Sequence, residues 1–495
     1  PRHDAIVWPA VRLAGTDTLL PPDALAGIAR ALRAARAWRG DDENPMPEDL
    51  DDDARAALTR AKDALERLPE VLDARGADAL WGALFHHAPS RWAMAALALL
   101  GGPGAFERAG QILRKDPHAE PSDVRRDAVG RALLARGDLR AWAQILSVPA
   151  LARRQKQDYF LQRDCHAKLA ERHGWDRRRA LANLSPPFGL GADGAAHFDY
   201  GGRVVTLRVD ASLQVVVSDD TGKTLSSLPG ARKGEDRVLV ATHKKRMKWM
   251  RAILERAIAD AAARFEDELR DMYPRTLGEL RAHVLSHPWR RFFVRSLIWG
   301  TYDGLELDRA FLCDADGSLV GADFDTLELP DDATVRLVHP AELSEDARRA
   351  WSEVLTDSEI VQPLPQLQRP VLGPDDWEAE RARFARASLG HKQETSKRLR
   401  AMEQWEERST RHGTRYGRVW FPERAFPELG VRARLLFDAR QWDFVVDGEL
   451  EKTDGLHVFA SASDSDPEDF TRVRPVPLDE LPARVASELV LLLRG

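Results

Sequence analysis

The chain reads as an α+β protein: N-terminal α-helical, HEAT-like repeats followed by a mixed α+β C-terminal region built on β-meanders. Three observations predict this. Short alanine- and leucine-rich helical patterns, split by single Gly or Pro punctuators, fill residues 54–185; the apolar period drops from 3.6 to 2 after Pro186-Pro187; and strands return after residue 411. At 495 residues the chain is too long for one compact core and is expected to divide into several domains.

Residues 1–53 hold a short apolar-periodic helix at 24–38 and then GDDENPMPEDLDDD, an acidic, Pro-containing run that reads as a solvated linker. In 54–185 the punctuators are Pro89, the Gly101-Gly102-Pro103-Gly104 cluster, Pro121 and Pro149. Ser90 and Ser122 stand where an N-cap oxygen would satisfy free amides. Helices this short cannot each bury their own face, so stacked helical hairpins are the expected packing.

Residues 186–410 form the expected α+β core. Val205, Leu207 and Val209 alternate with Val204, Thr206 and Arg208, and LQVVVSDDTGKTL continues the meander. A helical block at 238–295 precedes a second β-segment at 296–338, whose DADGSL turn echoes DDTGKTL because Asp and Gly are what tight turns require. The charged stretch 375–411 reads as a long helix broken near Gly390. The last domain, 411–495, carries the strands GRVWF, VRARLLF, WDFVV and LHVFA, a mobile acidic loop at 461–468, and a closing helix at 478–493.

Composition narrows function. Hydrophobic residues are 43% and charged residues 31%, which is ordinary for a soluble globular protein and excludes global disorder. A net charge of −6 excludes a surface that is a polyanion binder throughout, while leaving room for a local basic face. Two distant cysteines, Cys165 and Cys313, make neither a disulfide framework nor a Cys-based zinc site. No run approaches the roughly 20 apolar residues of a spanning helix, and the first residues lack a signal peptide's apolar centre. A cytoplasmic location with no membrane partner is the expectation. The start at Pro1 reads as a trimmed or truncated form.

No catalytic constellation, cofactor site or metal site is expected. GKT at 222–224 resembles the end of a phosphate-binding loop, but Val217 stands where that loop needs glycine, so a hairpin turn is the reading. Asp314, Asp316, Asp323, Asp325 and Glu328 offer hard oxygen ligands, yet Gly317 breaks the EF-hand order. His166 and His173 are two helical turns apart, too far for one ion unless another element intervenes. G-x-S-x-G is absent, and Cys313 lies in an apolar strand as a core thiol. Two basic clusters could meet phosphate: Lys244, Lys245, Arg246 and Lys248 on an amphipathic helix, and Arg415, Tyr416 and Arg418 in RHGTRYGRVWF. The tract IVQPLPQLQRPV at 360–371 has prolines that favour extended backbone, with Gln362, Gln366 and Gln368 able to read a partner or to satisfy buried backbone.

Four phrases, PPFGLGADG with FDYGGR (186–203), SLIWGTYD (296–303), VHPAELSE (338–345) and EIVQPLPQLQRPV (359–371), together resemble the MolR-like bacterial family. Its members carry a large C-terminal domain of unknown function, number 4132, often with HEAT-like repeats and a WGR module. The resemblance implies an intracellular protein, molybdate-related regulation, nucleic-acid contact through the WGR module, and MoxR-type ATPase or von Willebrand A-like proteins as partners. No WGR-like segment is found in this chain. Trp299, Tyr302, Asp303, His339, Gln362, Gln366 and Arg369, which lie in or beside these phrases, are the candidate binding residues. The expected function is an interaction, scaffold or regulatory protein. The alternatives are a nucleic-acid-associated regulator and an enzyme with a site around His339, Asp303 and Asp316.

Overall fold

The structure, a computed structural model, describes residues 11–13, 16–35, 53, 56, 72, 80, 103–114, 123–148, 155–373, 375, 376, 379, 406–411, 418–426, 428, 431–438, 452–460 and 481–494. It is mixed α+β, with helices and antiparallel sheets, and the chain divides into two units, Pro1–Ala196 and His197–Gly495.

The described part of the first unit is mainly helical: α1 (Pro22–Ala35), α2 (Pro103–Arg114), α3 (Asp123–Arg136), α4 (Leu139–Leu146), α5 (Gln155–His173) and α6 (Arg177–Asn183). Local chemistry sets several ends. Asp138 accepts the Ala141 amide at 2.8 Å to start α4, and Asp176 accepts the Arg179 amide at 2.7 Å to start α6. Gly137 and Gly174, at φ of 74° and 66°, take the left-handed conformation where α3 and α5 stop. Trp142, Leu133, Leu169 and Cys165 are fully buried in the common core, and alanines let the helices approach one another. The His173 ring packs between Trp142 and Trp175. Burial pushes the Cys165 thiol up to about 12, which makes it an inert core group.

The described residues of the second unit form three antiparallel sheets. The strands β1 (Ala195–Asp199), β2 (Val204–Val209) and β3 (Val215–Ser218) form the first, in that order. The predicted alternation holds, since Val205, Leu207 and Val209 are buried. Asp236 then accepts the Val238 and Leu239 amides and starts α7 (Arg237–Asp271), a 35-residue helix that is about 50 Å long at 1.5 Å per residue. The second sheet runs β4 (Arg275–Thr276), β9 (Thr334–Leu337), β5 (Trp299–Asp303), β6 (Glu306–Cys313), β7 (Leu319–Val320), β8 (Thr326–Leu327). It is covered by α8 (Arg291–Ser296) and by α9 (Glu345–Asp357), whose Trp351 and Val354 pack on Ile298, Leu312 and Val338. A methyl at Gly300 would sit 2.4 Å from Leu307 Cδ1, which explains the glycine inside β5. The last strands, β10 (Glu406–Arg411), β11 (Arg418–Phe426), β12 (Val431–Asp438) and β13 (Lys452–Ala460), make a four-stranded meander before α10 (Ala483–Arg494).

The echo between DDTGKTL and DADGSL is one turn used twice. In each the first residue, Asp219 or Asp314, donates its amide to the carbonyl four residues on and accepts from the fourth residue, Gly222 or Gly317. Those glycines sit at φ of 83° and 89°. The turns at 210–214 and 321–325 repeat the same pair of hydrogen bonds, with Leu213 and Phe324 in the left-handed position.

Two expectations are corrected. Residues 406–411 continue no charged helix; they form β10, paired antiparallel with β11 from Glu406 opposite Glu423 to Arg411 opposite Arg418. Pairing with a neighbouring strand overrides helix propensity. The helical block at 238–295 is interrupted, because Arg275 and Thr276 leave the helix to pair with Val335 and Thr334. The strand expected at WDFVV, the loop at 461–468 and the linker after residue 38 lie outside the described residues.

Candidate functional site

Three of the seven candidate binding residues, Tyr302, His339 and Arg369, meet in one interior of the second unit, where α10, α7 and the 360–372 tract reach the end of β9. Glu488 of α10 is its centre, with a side chain 1% exposed. Both carboxylate oxygens are engaged: Arg270 Nε donates to Oε2 at 3.1 Å, Arg369 donates through Nη2 to Oε2 at 2.8 Å and through Nε to Oε1, and His339 Nε2 lies 3.0 Å from Oε1. The His339 tautomer follows from its other nitrogen, which accepts the Ala341 amide at 3.1 Å; the proton therefore sits on Nε2 and is donated to Glu488. Glu266 receives one further arm each from Arg270 and Arg369, at 3.3 and 3.1 Å.

A second carboxylate lies beside the first. Glu342 accepts from Tyr302 Oη and from the His339 amide, each at 2.8 Å, and from Arg484 Nη1 at 2.9 Å. Arg484 spends its other donors on the carbonyls of Leu269 and Leu337, at 2.8 and 2.6 Å. Side chains from several elements are thus locked through charge-assisted hydrogen bonds. Burial acts upward on the Glu488 carboxyl, but the hydrogen bonds from His339 and Arg369 and the Arg369 charge hold it well below the usual carboxylate range. Burial is also the main reason that His339 lies below its ordinary value, so the imidazole is neutral. Burial pushes the Tyr302 phenol far upward.

Gln366, with 0% exposure, uses its whole amide on backbone and on Gln362. Its oxygen accepts from the Ile298 amide at 2.8 Å and Gln362 Nε2 at 2.9 Å, and its nitrogen donates to the carbonyls of Ile298 at 2.7 Å and Val338 at 2.8 Å. Trp299 is a core residue whose indole donates to the Val294 carbonyl at 3.1 Å and meets Phe265 edge-on. Asp303 stands apart, exposed at the β5–β6 turn. Asp316 is exposed at the β6–β7 turn, at the other end of the eight-residue β6, about 25 Å along a strand of that length. His339, Asp303 and Asp316 therefore do not assemble. The acids Asp314, Asp316, Asp323 and Asp325 mark turns, and no group of three or more His, Cys, Asp or Glu among the described residues is placed to hold a metal.

The basic cluster on α7 has the opposite character. Arg237, Lys244, Lys245, Arg246, Lys248 and Arg251 are all exposed, and no acidic residue interrupts them between Arg237 and Arg251. Positions 237, 244, 248 and 251 share one stripe of the helix because their spacings of seven, four and three are whole turns. Met247, Met250 and Leu254 bury the opposite face. Arg246 lies 5.7 Å over the Phe198 ring, and His243 stacks on Tyr200, so the first sheet backs the stripe. Arg415 and Tyr416 lie outside the described residues, and Arg418 is the first residue of β11.

Glu488, Arg484, Arg270, Glu266 and Glu342 are absent from the sequence-derived candidates. One signal could have found two of them. In RVASELVLLL, Arg484 and Glu488 interrupt an otherwise apolar helix at a spacing of four, and a charge on a buried face needs a buried partner.

Residues 222–405 match the family model described as "Domain of unknown function (DUF4132)". The junction therefore ties residues inside that match, Arg270, His339 and Arg369, to a helix at 483–494 beyond it. Over 213 residues the chain is 29% identical to the "Uncharacterized protein YehI" of Escherichia coli (strain K12), an alignment covering 42% of this chain and 18% of that protein. No solved structure matches the chain, and no helix among the described residues is long and apolar enough to cross a membrane.

Proposed function

We propose that the chain is a cytoplasmic regulatory interaction protein whose α7 face docks a polyanion, with nucleic acid as the partner. The observation that carries this is the exposed run from Arg237 to Arg251, which holds six cations, four of them on one stripe, and no acid within the run, Arg251 alone pairing with Glu255 one turn on, in a chain of net charge −6. A cationic patch kept on an acidic protein concentrates phosphate contacts at one place and releases counterions on binding. The HEAT-like reading of the first unit would supply a separate protein-docking surface for an ATPase or von Willebrand A-like partner.

Fluorescence anisotropy of a labelled DNA duplex, titrated across salt, tests the reading. Binding should weaken steeply as salt rises. The charge-reversed Lys244→Glu, Lys245→Glu, Lys248→Glu variant should bind about tenfold or more weakly, with the log–log salt slope shallower by about 0.9 for each phosphate that is no longer neutralised. These side chains are exposed and make no buried contacts, so the fold should survive. Absence of binding at low salt, or an unchanged slope in the variant, would sink it.

A further inference from the structure

We propose that the second unit holds a binding site for a free α-amino acid with an apolar side chain, at the cavity between α8, α9 and the β7–β8 turn. The cavity measures about 310 Å³, at the small-ligand end of the usual range for binding pockets. Leu312, Cys313 and Val354 make a buried apolar floor. Burial pushes the Cys313 thiol up to about 12, so it lines the floor as an apolar group and not as a nucleophile.

Backbone conformation singles out this cavity. Five non-glycine residues of the described chain have positive φ: Phe188, Leu213, Met272, Phe324 and Glu359. Phe188, Leu213 and Met272 are buried, so packing accounts for the side chain each carries. Phe324 is 59% exposed and Glu359 is exposed, and both line the cavity. Each occupies a place that glycine ordinarily takes. Phe324 fills the turn position held by Gly222 and Gly317 in the sister turns, and Glu359 is the left-handed residue just past the end of α9. Holding a bulky side chain there is unfavourable relative to glycine, because its Cβ crowds the following carbonyl, and no burial offsets it. Both line this one cavity, which gives both a common reason.

The wall's charges identify the occupant. Arg295 is half-buried in the wall and makes no hydrogen bond or ion pair with any described residue. A guanidinium fork free of partners and set beside an apolar floor suits a carboxylate. Two carboxylates, Asp314 and Glu359, stand at the exposed rim. They would repel a simple anion and would attract an ammonium group. One cation, two rim acids, an apolar floor and an exposed aromatic ring together complement a zwitterion with an apolar side chain.

Isothermal titration of the full chain with L-phenylalanine and L-leucine tests this, beside N-acetyl-L-phenylalanine, which lacks the ammonium, and L-phenylalaninamide, which lacks the carboxylate. Saturable binding of the free amino acids is expected, with each blocked form weaker by about tenfold, the cost of stranding a charged group. Arg295→Gln should lose affinity for the free acid and leave the amide unaffected. Phe324→Gly should weaken binding while raising the melting temperature, since glycine relieves the left-handed strain; that combination separates a binding role from misfolding. The proposal fails if neither free amino acid binds, if a blocked form binds as well as the free one, or if Phe324→Gly keeps full affinity.

Discussion

Replacing Glu488 with glutamine is expected to destabilise the second unit by about 3 kcal/mol or more, the usual result of removing one partner from a buried ion pair. A neutral amide cannot serve two guanidiniums and an imidazole at once. Glu266 would remain to meet Arg270 and Arg369, but its side chain is 35% exposed and bears only one arm of each. Hydrogen exchange of the peptides covering α10 and 360–372 should show the loss, because both segments are joined to the core through this carboxylate. Unchanged protection in both would remove the junction from any account of stability. The same junction sets an acid limit. His339 is held neutral below its ordinary 6.5, so the unfolded chain takes up a proton that the folded chain refuses, and stability falls as pH drops below about 6.5. Glu488 is held below its ordinary 4.5, so its contribution is present above 4.5 and is lost as pH falls toward its folded value. Urea unfolding from pH 7.5 to about 2.5 should therefore show two successive declines, the first below about 6.5 and the second below about 4.5, and His339→Gln should remove the upper one.

Substituting Gln366 with leucine should cost about 2–6 kcal/mol, two stranded buried groups, although leucine is apolar and close in size. The Ile298 amide and the Val338 carbonyl would lose the partners that this one amide supplies; a buried polar group left unpaired costs about 1–3 kcal/mol. The Ile298 carbonyl keeps the Val338 amide at 3.0 Å and should be spared. The strands flanking Ile298 and Val338 should exchange faster, with the Ile298 amide most affected. A change below about 1 kcal/mol would mean that water or backbone movement replaces the glutamine.

Local chemistry was legible where neighbours in sequence settle it. The alternation of Val205, Leu207 and Val209 gave β2 its buried face, and Asp-x-x-Gly placed the turns at 219–222 and 314–317. The prolines of 360–371 and its glutamines were readable as extended backbone bearing amides, but the carbonyls that Gln366 meets lie 28 and 68 residues away. Charge was the poorest guide. The same acidic and basic letters give an exposed helix face at 244–251, a strand at 406–411 and the interior junction at Glu488, because composition carries no information on which neighbour removes the water.

What the sequence alone determined is therefore local: a mixed α+β chain, the turn types, the apolar faces, and which charges fall on an amphipathic helix. These follow from backbone sterics and side-chain periodicity within a few residues. Tertiary structure decided that His339 and Arg369 are closed off by a helix 149 and 119 residues away, and that Phe324, Arg295 and Glu359 line one cavity. Burial and ionic pairing are properties of segments brought together by packing, and packing depends on contacts between residues far apart in the chain.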